Sequence, residues 1–102
     1  MKVKNVYILK EAVDDLDEGE SFYDFQEDGV GGYFFDCIVS DIESLSLYAG
    51  IHRKKSGLFQ MFAKRFPYAI YYDIIASDAY VVAILPMRRN PAWISKQIRK
   101  RR

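Results

Sequence analysis

The sequence predicts an α+β domain with the element order β-α-α-β-β-β-α, an antiparallel meander carrying a helical hairpin on one face. Three observations lead there. Residues 66–76 and 79–86 form two runs rich in β-branched and aromatic residues around Ser77-Asp78, the pattern of a β-hairpin. Two stretches of the N-terminal half place apolar residues at helical spacing between acids. Asn90-Pro91 pairs a favoured helix N-cap with a favoured first helical residue, so a helix follows the last strand at once.

Val3 to Leu9 alternates weakly and reads as a short first strand with Val6 and Ile8 on one face. Lys10 to Asp28 reads as a helix whose apolar stripe is Ala12, Leu16, Gly19 and Tyr23, with Phe22 at its edge. Glu11, Asp14 and Asp15 fall near its start, where the positive end of the helix dipole favours acids. Asp28-Gly29-Val30-Gly31-Gly32 breaks the helix. No strand precedes these glycines directly and no Lys-Ser/Thr follows, so they read as an αα-hairpin turn, not a phosphate loop. Tyr33 to Ala49 is the second helix, with Phe34, Phe35, Ile38, Ile42, Leu45 and Ala49 on one face. That stripe is core, and Cys37 at its edge reads as a small buried residue, not a nucleophile.

Gly50 to Gly57 reads as a loop. Its His52-Arg53-Lys54-Lys55 run is either a solvated segment or a contact for phosphate or a target. Leu58 to Arg65 alternates as a strand, with Leu58, Gln60, Phe62 and Lys64 on one face and Phe59, Met61, Ala63 and Arg65 on the other. Of the hairpin strands, both are apolar on both faces and belong at the centre of the sheet, with the first strand at an edge. The last helix, from Pro91 or Ala92 to about Arg102, has a narrow apolar edge of Pro91, Ile94 and Ile98 beside Trp93. Lys96, Arg99, Lys100, Arg101 and Arg102 make it strongly basic, and its tail is expected to fray.

The 102 residues are expected to form one domain, 1–102. Half are hydrophobic and 15 are Tyr or Phe, which favours a globular chain over a disordered one. No apolar run approaches the roughly 18 residues of a membrane span. The basic start is followed too soon by charges for a signal peptide. The one cysteine suits a reducing cytoplasm, and with a single histidine no zinc set of His and Cys can be assembled. No cofactor motif is present.

The formal net charge of +1 hides a division: residues 1–51 carry 12 acids against three lysines, and residues 52–102 carry 12 bases against Asp73 and Asp78. Either acidic helices neutralise a basic sheet, or one surface is built for an anionic partner. The second is favoured, because exposed ion pairs contribute only about 0–1 kcal/mol each.

The strand Phe66-Pro67-Tyr68-Ala69-Ile70-Tyr71-Tyr72, the second apolar strand and the corner Arg88-Arg89-Asn90-Pro91 resemble the C-terminal half of RelE/ParE-superfamily toxins of type II toxin–antitoxin systems. The acid-studded helix in Phe35–Ile51 fits the same pattern, and the likeness covers nearly the whole chain. It implies a bacterial, cytoplasmic toxin that inhibits growth, is neutralised by a cognate antitoxin, and belongs to systems that serve plasmid stabilisation. RelE-like members cut mRNA on the ribosome, where cations stabilise the phosphorane and other groups move protons. Carried onto this chain, Arg89 or Arg88 matches their corner arginine. Their strand lysines fall on Gln60 and Phe62, the next strand's arginine on Ala69, the C-terminal tyrosine near Ser95, and a histidine before the corner on Pro86. Arginine holds phosphate but is a poor general acid or base. If the chain is an enzyme it is an endoribonuclease, with Arg65, Arg88, Arg89 and Tyr71 as candidate catalytic residues.

ParE-like members also lack those residues and are described as poisons of DNA gyrase that act by binding. The first expectation is therefore a ParE-like toxin, with Arg53, Lys54, Lys55, Lys64, Arg65, Arg88 and Arg89 on one target- or antitoxin-binding surface. The alternatives are the ribosome-dependent endoribonuclease and a non-toxic member that keeps only antitoxin binding.

Overall fold

The computed structural model describes residues 2–101, so the expectation for Arg102 lies outside the described residues. The chain runs β1 (Asn5–Ile8), α1 (Lys10–Gln26), α2 (Val30–Glu43), α3 (Leu45–Tyr48), β2 (Lys54–Lys55), β3 (Leu58–Phe62), β4 (Tyr68–Ile75), β5 (Asp78–Pro86) and α4 (Pro91–Arg101). The sheet order is β1-β5-β4-β3-β2. The α+β fold, the meander and the helical hairpin on one face are as expected. β1 lies parallel to β5 at an edge, and the two strands that are apolar on both faces, β4 and β5, hold the middle.

The elements differ from expectation in detail. The helix expected over 33–49 breaks at Ser44, whose hydroxyl donates to the Asp41 carbonyl at 2.6 Å, and α3 is a separate turn. The loop over 50–57 contains β2, joined to β3 by Ser56-Gly57, both with positive φ as a tight hairpin turn requires. β3 stops at Phe62, short of Lys64 and Arg65. The β4–β5 turn is Ala76-Ser77, one residue earlier than expected. Asp78 already pairs with Ile75, and Ala76 takes φ +56° where glycine is the usual choice. A bulge between Tyr71 and Tyr72 shifts the β4–β5 register.

The sheet has a buried layer on each face. α1, α2 and α3 cover one face, where Leu16, Phe34, Ile38, Ile42 and Leu45 pack on Met61, Ile70, Tyr72, Val81 and Ile84. α4 covers part of the other, where Ile98 with Trp93 and Ile94 packs on Leu58, Ala69, Tyr71, Ala83 and Leu85. Pro91, expected on the apolar edge of α4, is exposed.

The glycines do form the αα turn. Gly29, at φ +89°, precedes α2, and the Asp24 carboxylate accepts from the main-chain N–H of Gly29 and of Gly31 at 3.2 and 2.8 Å. These bonds satisfy donors that a helix start leaves open. A Cβ on Gly31 would lie 2.4 Å from the Glu20 carbonyl and 2.7 Å from Asp24, so the two helices approach closely only because no side chain intervenes. Gly31→Ala is expected to destabilise the protein by about 1–3 kcal/mol in urea denaturation. Gly32→Ala, where a Cβ meets nothing within 4 Å, is expected to be neutral or slightly stabilising.

Candidate functional site

β1 is four residues long because α1 begins at Lys10, and its last bond to β5 runs from Leu9 N–H to the Val81 carbonyl. Beyond that point β5 continues to Pro86 with β4 on one side and, among the described residues, no strand on the other. Side chains serve its main chain instead. Asp15 of α1 accepts from Ile84 N–H at 2.9 Å, and Arg101 of α4 donates to the Val82 carbonyl at 3.3 Å. The two side chains also clasp each other, Nη2 to Oδ1 at 2.9 Å and Nη1 to Oδ2, and each is only 9% exposed. The bond to Asp15 raises the Arg101 pKa further. This contact holds α4 helical as far as Arg101 in the described residues. The sequence carries a signal for the pair: Asp15 lies on the Ala12–Leu16–Gly19 stripe, and Arg101 lies three and seven residues after Ile98 and Ile94.

Next to this clasp a groove of about 300 Å³ opens between α1, the end of β5 and α4. Tyr68 and Pro86 line it, Glu18 and Phe22 contribute from α1 and Trp93 from α4, and Arg88 and Arg89 stand at its rim. The Arg88 guanidinium lies 4.3 Å from the Phe22 ring centroid, and that of Arg89 lies 3.9 Å from the Trp93 ring. Among the described residues neither forms an ion pair with a carboxylate. Both are therefore charged, oriented by stacking, and available to an anion. Behind them Phe22, Tyr23, Phe34, Phe66 and Tyr68 form a chain of rings with centroids 4.8–5.1 Å apart. Burial, with a smaller contribution from Tyr23, pushes the Tyr68 hydroxyl pKa up, while Arg88 pulls the other way.

The remaining expected site residues lie elsewhere. Lys64 and Arg65 line a separate cleft with Tyr33, Asp36, Cys37 and Asp41, where the buried Asp41 carboxylate accepts the Lys64 main-chain N–H at 3.1 Å. Arg53, Lys54 and Lys55 stand at the opposite rim of the sheet from β1, with Lys54 over the Phe59 ring. The single basic surface expected from the sequence is thus divided among three places. Tyr71 is buried at 2% exposure and its hydroxyl accepts from the Gln60 amide at 3.0 Å, which makes it part of the sheet's packing rather than a reacting group.

His52 is far along the sheet from the arginine corner. Tyr72 accepts from Gly50 N–H at 2.9 Å and its hydroxyl shares a hydrogen bond with Nδ1 of His52. Burial lowers the His52 pKa and raises that of Tyr72. Cys37 lines the cleft of Lys64 and Arg65, while His52 is engaged with Tyr72. Among the described residues no group of His, Cys, Asp and Glu could hold a metal ion, and no helix is long and apolar enough to cross a membrane.

No protein-family profile and no curated protein matches the sequence. Among solved structures, a chain from one described as the chromosomal ParDE TA system from P. aeruginosa aligns with a TM-score of 0.77. The alignment covers 84% of this chain and 98% of that one. This is the fold of a ParDE chain. Identity is 16%, so the ParDE likeness concerns the backbone plan and leaves the side chains to be argued from their own geometry.

Two outcomes follow from the geometry. Asp15→Asn or Arg101→Ala is expected to cost about 3–5 kcal/mol in chemical denaturation, since each leaves a partner buried and unpaired. Arg101→Lys is expected to rescue little, because an ammonium cannot form the paired bonds. For His52 the unfolded state binds the proton more readily, so its stabilising contribution is complete above the ordinary pKa of about 6.5 and declines as pH falls through the lowered value. Denaturation curves of wild type and His52→Gln are expected to differ in their pH dependence in that interval, with the wild type losing more stability on acidification.

Proposed function

We propose that the protein is the toxin component of a type II toxin–antitoxin system, that it inhibits growth by binding DNA gyrase, and that a cognate antitoxin neutralises it. The observation that carries this reading is the Arg88–Arg89 corner. Its guanidiniums lie on aromatic rings and, among the described residues, have no carboxylate partner, yet the one histidine is engaged with Tyr72 elsewhere and Tyr68, the phenol lining the groove, has a raised pKa. Such a site holds an anion or an acidic side chain well through bidentate contacts. It is poorly equipped to move the protons that RNA cleavage requires. The ParDE fold supports an antitoxin as partner.

One feature favours a second reading, the ribosome-dependent endoribonuclease: Glu18 opens on the same groove and supplies a carboxylate near the arginines. Induced expression separates the readings. Stalled gyrase on DNA, with supercoiling inhibited by the purified protein, is the expected result. Early cleavage of translated mRNA would establish the nuclease instead, and normal growth a member that retains only antitoxin binding. Arg89→Ala is expected to abolish growth inhibition while thermal melting stays within about 0.5 kcal/mol of wild type, as for other exposed substitutions. Full toxicity in a well-folded Arg89→Ala protein overturns the role given to the corner.

A further inference from the structure

We propose that the solvent side of α4 is a docking surface for double-stranded DNA, held through its phosphates by Lys96, Arg99 and Lys100. The inference concerns a surface distinct from the arginine-lined groove and holds whether or not the protein inhibits growth.

The last 24 residues of the chain, from Ala79, contain seven bases and no acid. One of them, Arg101, turns inward to Asp15, and Ile98 anchors the opposite side of the helix in the core. Lys96, Arg99 and Lys100 are exposed, and among the described residues none pairs with a carboxylate. Their spacing of three and four puts them on one side of the helix. Most of the protein's acids lie on α1 and α2, which cover the other face of the sheet; Glu11 and Asp15 of α1 reach Arg101, but Lys96, Arg99 and Lys100 keep no carboxylate partner among the described residues. A field with that polarity steers a polyanion to α4.

The partner's class follows from what accompanies the charges. An acidic protein interface needs apolar anchors at its centre, and no large hydrophobic residue of α4 is exposed. Single-stranded nucleic acid is held by stacking on free rings, and the helix's one ring, Trp93, is covered by Arg89. What remains is a rigid row of cations. The rise from Lys96 to Lys100 is about 6 Å, a span in which one strand of a duplex advances by about two phosphates measured along the helix axis.

The test is fluorescence anisotropy of the full chain on a labelled duplex of about 20 base pairs across a salt series. Three phosphate contacts give a slope of log K against log salt of about −2.7 from this row. The combined variant Lys96→Gln, Arg99→Gln, Lys100→Gln is expected to lose that part of the slope and at least tenfold in affinity, with an unchanged melting curve. Unchanged duplex binding in the folded variant overturns the proposal. So does tighter binding of a single strand of equal length, or equal displacement of the duplex by polyglutamate at matched charge. Growth inhibition by wild type and Arg89→Ala is scored separately, so failure here is distinguishable from failure of the toxin reading.

Discussion

The Asp15–Arg101 clasp is the constraint on which this molecule's architecture depends. A strand that outruns its neighbour leaves main-chain donors and acceptors that lose water when helices close over them, and each costs free energy if unmatched. Here β5 outruns β1, and the deficit is met by one carboxylate and one guanidinium that also neutralise each other. Because Asp15 sits on α1 and Arg101 on α4, the same contact fastens the two layers on opposite faces of the sheet. The groove beside it owes its position to this arrangement, since α1 and α4 form two of its walls.

Asp41 repeats the device on a smaller scale. It lies between Ile38 and Ile42 on the apolar side of α2, is buried, and accepts a main-chain N–H just beyond β3. Each long helix of the hairpin thus lends one acid to the sheet. In both cases the acid replaces a strand partner where the regular ladder ends. Hydrophobic burial supplies most of the remaining attachment of these helices to the sheet.

The fold could be read from the sequence because its determinants are periodic. Strands β4 and β5, the stripes of α1 and α2, and the Asn90-Pro91 start of α4 each announce themselves within a few residues. The site was only partly readable. Arg88 and Arg89 stood out as a corner, but the rings that orient them are separated from them in sequence or, like Trp93, looked like packing. Asp15 and Arg101 are 86 residues apart, and each is surrounded by residues of its own charge. Their places on apolar stripes marked them, yet the abundance of acids near Asp15 and bases near Arg101 hid that mark. The separation of Lys64, Arg65 and the β2 lysines from the corner depends on sheet order, which charge counting ignores. The bulge at Tyr71–Tyr72 and the His52–Tyr72 contact have no local pattern at all.

The way the sheet's borders end has a consequence for assembly. β2 is two lysines long, β1 is four residues preceded by Lys2 and Lys4, and the bare part of β5 is sealed by a carboxylate and finishes in Pro86, which has no N–H to offer. Short, charged or proline-terminated borders resist the addition of a foreign strand. A chain this rich in tyrosine and isoleucine strands would otherwise be prone to stacking into fibres. Such borders favour recognition through side chains over lengthening of the sheet.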